Sequence, residues 1–211
     1  MSERKNGLLF LQALCYCGVS TLFHMTYHLL KKLALAFLIL VPAVLPAKQT
    51  PIVDYNINVH EVEKAQKAWG DALVRISKDY ESGGIAKATQ TAQAVLNSAY
   101  GYDIGPVLFK PTLTVSPQTF RNTKEGALAY FVGNNSHFPN DEGFALKGWR
   151  SCKIEDAGIY ISGDIAITMG KVRLTDKKGK VTEVDKTWVF KKDDEGKLKI
   201  ILHHSSLPVN P

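Results

Sequence analysis

Leu198-Lys199-Ile200-Ile201-Leu202-His203-His204-Ser205-Ser206 is an apolar run that ends in four hydrogen-bonding side chains and is stopped by Pro208. The run has strand composition, and side chains alternate along a strand. His203 and Ser205 therefore share one face, and His204 and Ser206 share the other. Four polar side chains at the mouth of a sheet are hard to explain by packing alone, so one of the two pairs is expected to line a cavity. The plain alternative is a polar strand end facing water.

Upstream of this run, strand and turn signals alternate from Gly143 onward. The pattern predicts strands over Phe144–Ile154, Ile159–Met169, Lys171–Thr175, Val181–Lys192 and Leu198–Ser206. They are separated by Asp156-Ala157-Gly158, Lys177-Lys178-Gly179 and Asp193-Asp194-Glu195-Gly196. The preceding segment reads as helix. Asn58-Val59-His60-Glu61 has the spacing of a capping box. Val59, Val62, Trp69, Leu73, Ile76 and Tyr80 recur near helical spacing up to Gly83-Gly84. A second helix is expected over Ile85–Ala99, with Ile85, Ala88, Ala92, Val95 and Leu96 inward, and a short one over Thr123–Val132. Pro111 biases Lys110 towards extended backbone, so Val107–Thr112 reads as a short strand. Helices followed by an antiparallel meander are an α+β order. The expected architecture is a cone-shaped curved antiparallel sheet wrapped on N-terminal helices.

The chain has 211 residues and a formal net charge of +6. Residues 1–47 read as a leader and 48–211 as one domain. Lys31-Lys32, the apolar run Leu33–Val41 and the small residue Ala47 have the order of a secretory signal peptide, cleaved after Ala47. Met25 opens a well-proportioned signal peptide and is an alternative start. In a competing reading, Gly7–Phe23 is a hydrophobic segment that holds the protein at a membrane. The signal-peptide reading implies a periplasmic or secreted protein with no stable membrane anchor after cleavage. Arg4, Lys5, Lys31 and Lys32 against Glu3 place half the net charge in the leader. The mild remainder argues against a nucleic-acid surface. Cys15 and Cys17 lie in the leader, so Cys152 stands alone in the mature part, without a metal-ligand spacing. It reads as a small buried hydrophobe.

Phe109-Lys110-Pro111-Thr112, Tyr130-Phe131-Val132-Gly133, Gly143-Phe144-Ala145 and His203-His204-Ser205-Ser206-Leu207-Pro208 together resemble the iota-class carbonic anhydrases. These are built on a domain similar to the calcium/calmodulin-dependent kinase II association domain, within the nuclear-transport-factor-2-like superfamily. The resemblance runs from about Thr50 to Pro211. It implies a pocket that binds bicarbonate through a threonine, a tyrosine and the strand-end histidine and serine. Matched position by position, these are Thr112, Tyr130, His203 and Ser205. His204 and Ser206 would then face a subunit contact.

The residue types suit that chemistry. Carbon dioxide is apolar and bicarbonate is an anion, so the site needs an apolar wall and a few fixed donors. Phe109, Phe131 and Phe144 are possible walls, or plain core. Thr112, Tyr130 and Ser205 carry hydroxyls that donate or accept. Their plain alternatives are a capped turn for Thr112 and a buried ring for Tyr130. His203 titrates near neutrality when unperturbed, which makes it the expected proton acceptor or shuttle.

A zinc ion would bring the pKa of its bound water from about 15.7 to about 7, worth roughly 12 kcal/mol. Such a site needs about three convergent ligands. The mature chain offers His60, His137, His203 and His204 as imidazoles. The adjacent pair faces opposite sides of a strand. Carboxylates such as Asp164 or Glu183 remain open as ligands, but nothing marks them. The expected site therefore uses no metal and no cofactor, and a homodimer is expected. The alternative function is a non-enzymatic oligomerisation or small-ligand-binding module of the same fold.

Overall fold

The computed structural model describes residues 54–209. The leader, with Cys15, Cys17 and the alternative start at Met25, lies outside the described residues. Helix α1 (Val59–Ala99) opens with the capping box read from the sequence. Asn58 Oδ1 accepts the Glu61 amide at 3.0 Å, and Glu61 Oε2 accepts the Asn58 amide at 2.9 Å. At Gly84 the backbone leaves helical geometry (φ 67°, ψ −166°), a conformation that glycine adopts without steric cost. The glycine pair thus kinks α1 into the two helical segments that the sequence predicts.

Strand β1 (Leu108–Lys110), helix α2 (Lys124–Val132) and a 3-10 turn (Phe144–Leu146) follow. The Thr123 hydroxyl caps α2 by accepting the Gly126 amide. Strands β2 (Trp149–Ser162), β3 (Ile165–Asp176), β4 (Val181–Lys192) and β5 (Leu198–Ser206) complete one sheet in the order β1–β5–β4–β3–β2. The fold is α+β, with this sheet packed on the helices.

The meander differs from the expected one in three places. Phe144–Leu146 is a 3-10 turn and not the start of a strand. Asp156-Ala157-Gly158 is not a turn: β2 runs through it, with a register shift between Asp156 and Gly158. The hairpin turns later, between the paired residues Ser162 and Ile165. The stretches Ile159–Met169 and Lys171–Thr175 are therefore shared between the end of β2 and the whole of β3. Gly-containing triplets serve bulges as well as turns, which is why the sequence pattern misplaces this corner. The sheet is also not wholly antiparallel, because β1 pairs parallel with β5, Phe109 opposite His203. Turns after β3 and β4 fall at Lys177-Lys178-Gly179 and Asp193–Gly196, as read from the sequence.

The core lies between α1 and the inner sheet face. Val62, Trp69, Leu73, Ile76, Ala88, Ala92 and Leu96 are buried from α1, against Val172, Leu174, Val184, Trp188, Phe190 and Ile200. Val59 and Tyr80, expected inward, are exposed. They sit at the margins of the apolar stripe, where spacing alone does not tell edge from centre. Cys152 is a free, half-buried thiol. No helix among the described residues is long and apolar enough to cross a membrane.

Candidate active site

Alternation on β4 and β5 decides which side chains reach the interior. Val184, Lys186, Trp188 and Phe190 point inward from β4, and His203 and Ser205 from β5. His204 is exposed on the opposite face. Across the β4–β5 pair, Trp188 stands opposite His203 and Lys186 opposite Ser205. Three inward polar side chains on neighbouring strands thus share one patch of an otherwise apolar surface.

Ser205 Oγ lies 2.5 Å from Thr112 Oγ1. One hydroxyl of this pair donates to the other. The acceptor's own proton stays available to a third group, and so do the remaining oxygen lone pairs. Thr112 is carried by the loop after β1. That loop is tied down by a buried pair: Arg121 donates from Nε and Nη2 to the two carboxylate oxygens of Asp141, both at 2.8 Å. Arg121 also donates to the carbonyls of Gln118 and Phe120, and its amide donates to the Phe109 carbonyl.

Tyr130, on α2, is buried, and the backbone of Leu113 and Thr112 bears on the electrostatics of its hydroxyl. Burial raises its pKa above the usual phenol value, and that backbone only partly opposes the rise. The phenol is therefore protonated. A protonated phenol carries an O–H that can donate. The Tyr130 ring stacks on Phe144 at 5.4 Å and meets Phe109 edge-on at 5.6 Å. Phe109 in turn stacks on the His203 imidazole at 4.4 Å. Phe109, Phe131 and Phe144 are all buried and form one aromatic wall with Tyr130. A cleft of about 230 Å³, lined in part by Leu113, Val115, Tyr130, Asp141 and Phe144, opens beside Tyr130.

Thr112 and Ser205 thus touch directly, and Tyr130 and His203 are joined through Phe109; of the four, Tyr130 alone lines the cleft. His203 does not match the expected neutral-pH titrator. Its Nδ1 lies 2.9 Å from Tyr100 Oη and its Nε2 lies 2.9 Å from Lys186 Nζ. Both ring nitrogens are engaged within the protein. Burial, and then the Lys186 charge, push its pKa well below the usual histidine value. The imidazole is therefore neutral at physiological pH, with its tautomer set by its two partners.

Three residues of this cluster escaped the sequence reading. Tyr100 caps α1, accepts the Trp69 indole N–H at 2.9 Å and touches His203. Lys186 is buried with its Nζ 4.2 Å from the centre of the Trp69 ring and 5.1 Å from that of Trp188. Burial pulls its pKa down to about 7. Trp188 Nε1 is a buried donor without a partner among the described residues. One signal could have found Lys186. Val184, Lys186, Trp188 and Phe190 are the inward period-2 positions of β4, and a lysine in such a series is out of place.

His60 and His137 lie on the surface, and His137 pairs with Glu125. No group of three or more His, Cys, Asp or Glu side chains converges among the described residues.

A family model described as metal-independent carbonic anhydrase matches residues 60–207. A metal-independent carbonic anhydrase of Nostoc sp. (strain PCC 7120 / SAG 25.82 / UTEX 2576) is 60% identical over 160 residues, spanning 76% of this chain and 78% of that protein. A crystal structure of the iota-carbonic anhydrase from a cyanobacterium, complexed with bicarbonate, shares 59% identity. It covers 77% of this chain and 99% of its own, with a TM-score of 0.75.

Proposed function

The chain belongs to the metal-independent carbonic anhydrase family, and from that premise we propose that Thr112, Tyr130, His203 and Ser205 form the pocket where it interconverts carbon dioxide and bicarbonate. The observation that carries this assignment is the Thr112–Ser205 hydroxyl pair, with Ser205 on the inward face of β5 that it shares with His203, whose ring stacks on Phe109. The relative of 59% identity that was crystallised with bicarbonate supports the same substrate.

The pocket suits both sides of the reaction. The rings of Phe109, Phe131 and Phe144 accept an apolar molecule without desolvating a charge. As water attacks the carbon, negative charge develops on the carbon dioxide oxygens. The Tyr130 O–H and the free proton of the Thr112–Ser205 pair are fixed donors for that charge, each worth about 10²–10³ in rate. The same pair has lone pairs that orient the attacking water. No metal-bound hydroxide is invoked: the water loses its proton as its bond to carbon forms, and general-base assistance contributes about 10²–10⁴. His203 holds this arrangement as a neutral ring stacked on Phe109 and bonded at both nitrogens.

Stopped-flow hydration assays before and after exhaustive chelation test the reading. Retained activity is the expected result. Activity that vanishes and returns only with added metal refutes it. The binding-module alternative predicts no hydration activity at all.

Two further expectations belong to this proposal. Export to a periplasmic or extracellular space rests on the leader pattern of residues 1–47. A homodimer paired through the outer sheet face is supported by Tyr160 and Met169, which are 66% and 61% exposed there. They lie on the face that also carries His204. Light scattering on the purified domain tests the second expectation.

A further inference from the structure

The cluster around His203 contains a group that the proposed reaction has not used. Lys186 Nζ is buried against Trp69 and Trp188, 2.9 Å from His203 Nε2. The groups facing it are few. Cys152 approaches from β2 and His203 from β5. On β3 the opposite residue is Gly170, which offers no side chain. From α1 the neighbour is the Trp69 ring, with Tyr100 beyond the imidazole. No carboxylate acts on Lys186 among the described residues. A buried ammonium without a counter-ion is costly, and so is a buried anion without a cation. Hydration of carbon dioxide creates one anion and one proton together. Each would relieve the cost of holding the other.

We propose that Lys186 holds the proton released by hydration for as long as bicarbonate occupies the pocket. This rests on the carbonic anhydrase reading above. In the hydration direction the water oxygen forms a bond to the carbon of carbon dioxide and one water O–H bond breaks. The proton ends on the neutral amine, giving bicarbonate and the Lys186 ammonium. No oxidant or second substrate is needed, and the reverse step returns the proton to the leaving hydroxide. The ammonium donates to His203 Nε2. That fixes the imidazole as its Nδ1–H tautomer, which donates to Tyr100 Oη. Ser205, opposite Lys186 across the β4–β5 pair, places the hydroxyl pair on the same side of the cluster. Burial keeps the free amine available near neutrality, with its pKa at about 7.

The experiment compares the wild-type protein with Lys186→Met in two measurements. Calorimetry of bicarbonate binding near pH 8, in buffers of different ionisation enthalpy, reads protons taken up on binding. The wild type is expected to take up about one proton and the variant none. Stopped-flow profiles read kcat/KM against pH. Wild-type hydration is expected to fall about tenfold per pH unit well below neutrality. The variant is expected to lose that limb and to have a plateau about 10²–10⁴ lower. A wild type that hydrates carbon dioxide but takes up no proton on binding bicarbonate overturns the role of Lys186 alone, and it does so even if Lys186→Met fails to fold. A folded variant that keeps the acid limb and the plateau overturns it too. A wild type that neither hydrates carbon dioxide nor binds bicarbonate overturns the carbonic anhydrase reading itself.

Discussion

Ser205 and Thr112 share a 2.5 Å hydrogen bond across 93 positions of sequence. Ser205 is fixed by the β5 ladder, whereas Thr112 sits on a loop. The bond is therefore both a feature of the proposed pocket and the joint by which the loop is closed on the sheet. Replacing either residue with alanine leaves the other hydroxyl without its partner, so its proton is no longer held in a fixed direction. Thr112→Ala and Ser205→Ala are each expected to lower hydration kcat/KM by about 10²–10³. Each is expected to cost about 1 kcal/mol of stability. Stopped-flow assays and urea melts measure the two effects separately.

The Arg121–Asp141 pair positions the same loop from below. Both side chains are buried, so removing one leaves an uncompensated charge. Arg121→Met is expected to cost about 3–5 kcal/mol. Because Thr112 moves with the loop, activity should fall as well. The double variant Arg121→Met/Asp141→Leu should recover a large part of the stability, since no lone charge remains. Chemical denaturation of the three proteins tests this.

Lys186 makes stability depend on pH. Its pKa falls to about 7 in the folded protein, from 10.5 when unperturbed. Between those values the unfolded chain binds the proton and the folded one does not. Stability therefore rises with pH across the window, by up to about 1.4 kcal/mol per unit, and this group adds no slope below it. Cys152 works in the opposite direction higher up, because burial raises its pKa from 9.0 to about 11. Between pH 7 and about 9 the lysine dominates. Urea melts should show wild-type stability rising there and the slope absent in Lys186→Met.

His203 acts at lower pH with the same sign. Its folded-state pKa lies well below 6.5. As pH falls through 6.5 the unfolded chain takes up a proton that the folded ring refuses, so stability is lost. His203→Asn should reduce this acid sensitivity, and it should also disrupt the contacts to Tyr100 and Lys186. NMR titration of the wild-type ring should show no protonation at pH 6.

Gly170 lies opposite both Asp156 and Lys186. A methyl group there would collide with the Glu155 carbonyl oxygen and the Asp156 backbone at the β2 bulge. Gly170→Ala is expected to destabilise the fold by about 1–3 kcal/mol, because backbone has to give way and not a flexible side chain. Thermal unfolding measures it.

Much of the scaffold was legible before any coordinates. The Asn58–Glu61 capping box, the break at Gly83-Gly84, the Thr123 start of α2 and the limits of β5 are local signals, decided by backbone chemistry within a few residues. The Asp156–Gly158 bulge was not, because a glycine triplet suits a bulge and a turn equally and the choice depends on what β3 pairs with. Alternation placed His203 and Ser205 on one face. It could equally have placed Lys186 with them, since the period of β4 is as clear as that of β5.

By itself the sequence determined the α+β order, the inward pair on the last strand and, through its motifs, the family. Only the tertiary structure decided that His203 is saturated at both nitrogens, that Thr112 closes on Ser205, and that a lysine with no carboxylate partner among the described residues is buried beside them. These are contacts between residues 17 to 103 positions apart. They depend on which strands become neighbours, and burial, not residue type, sets the protonation of the groups involved.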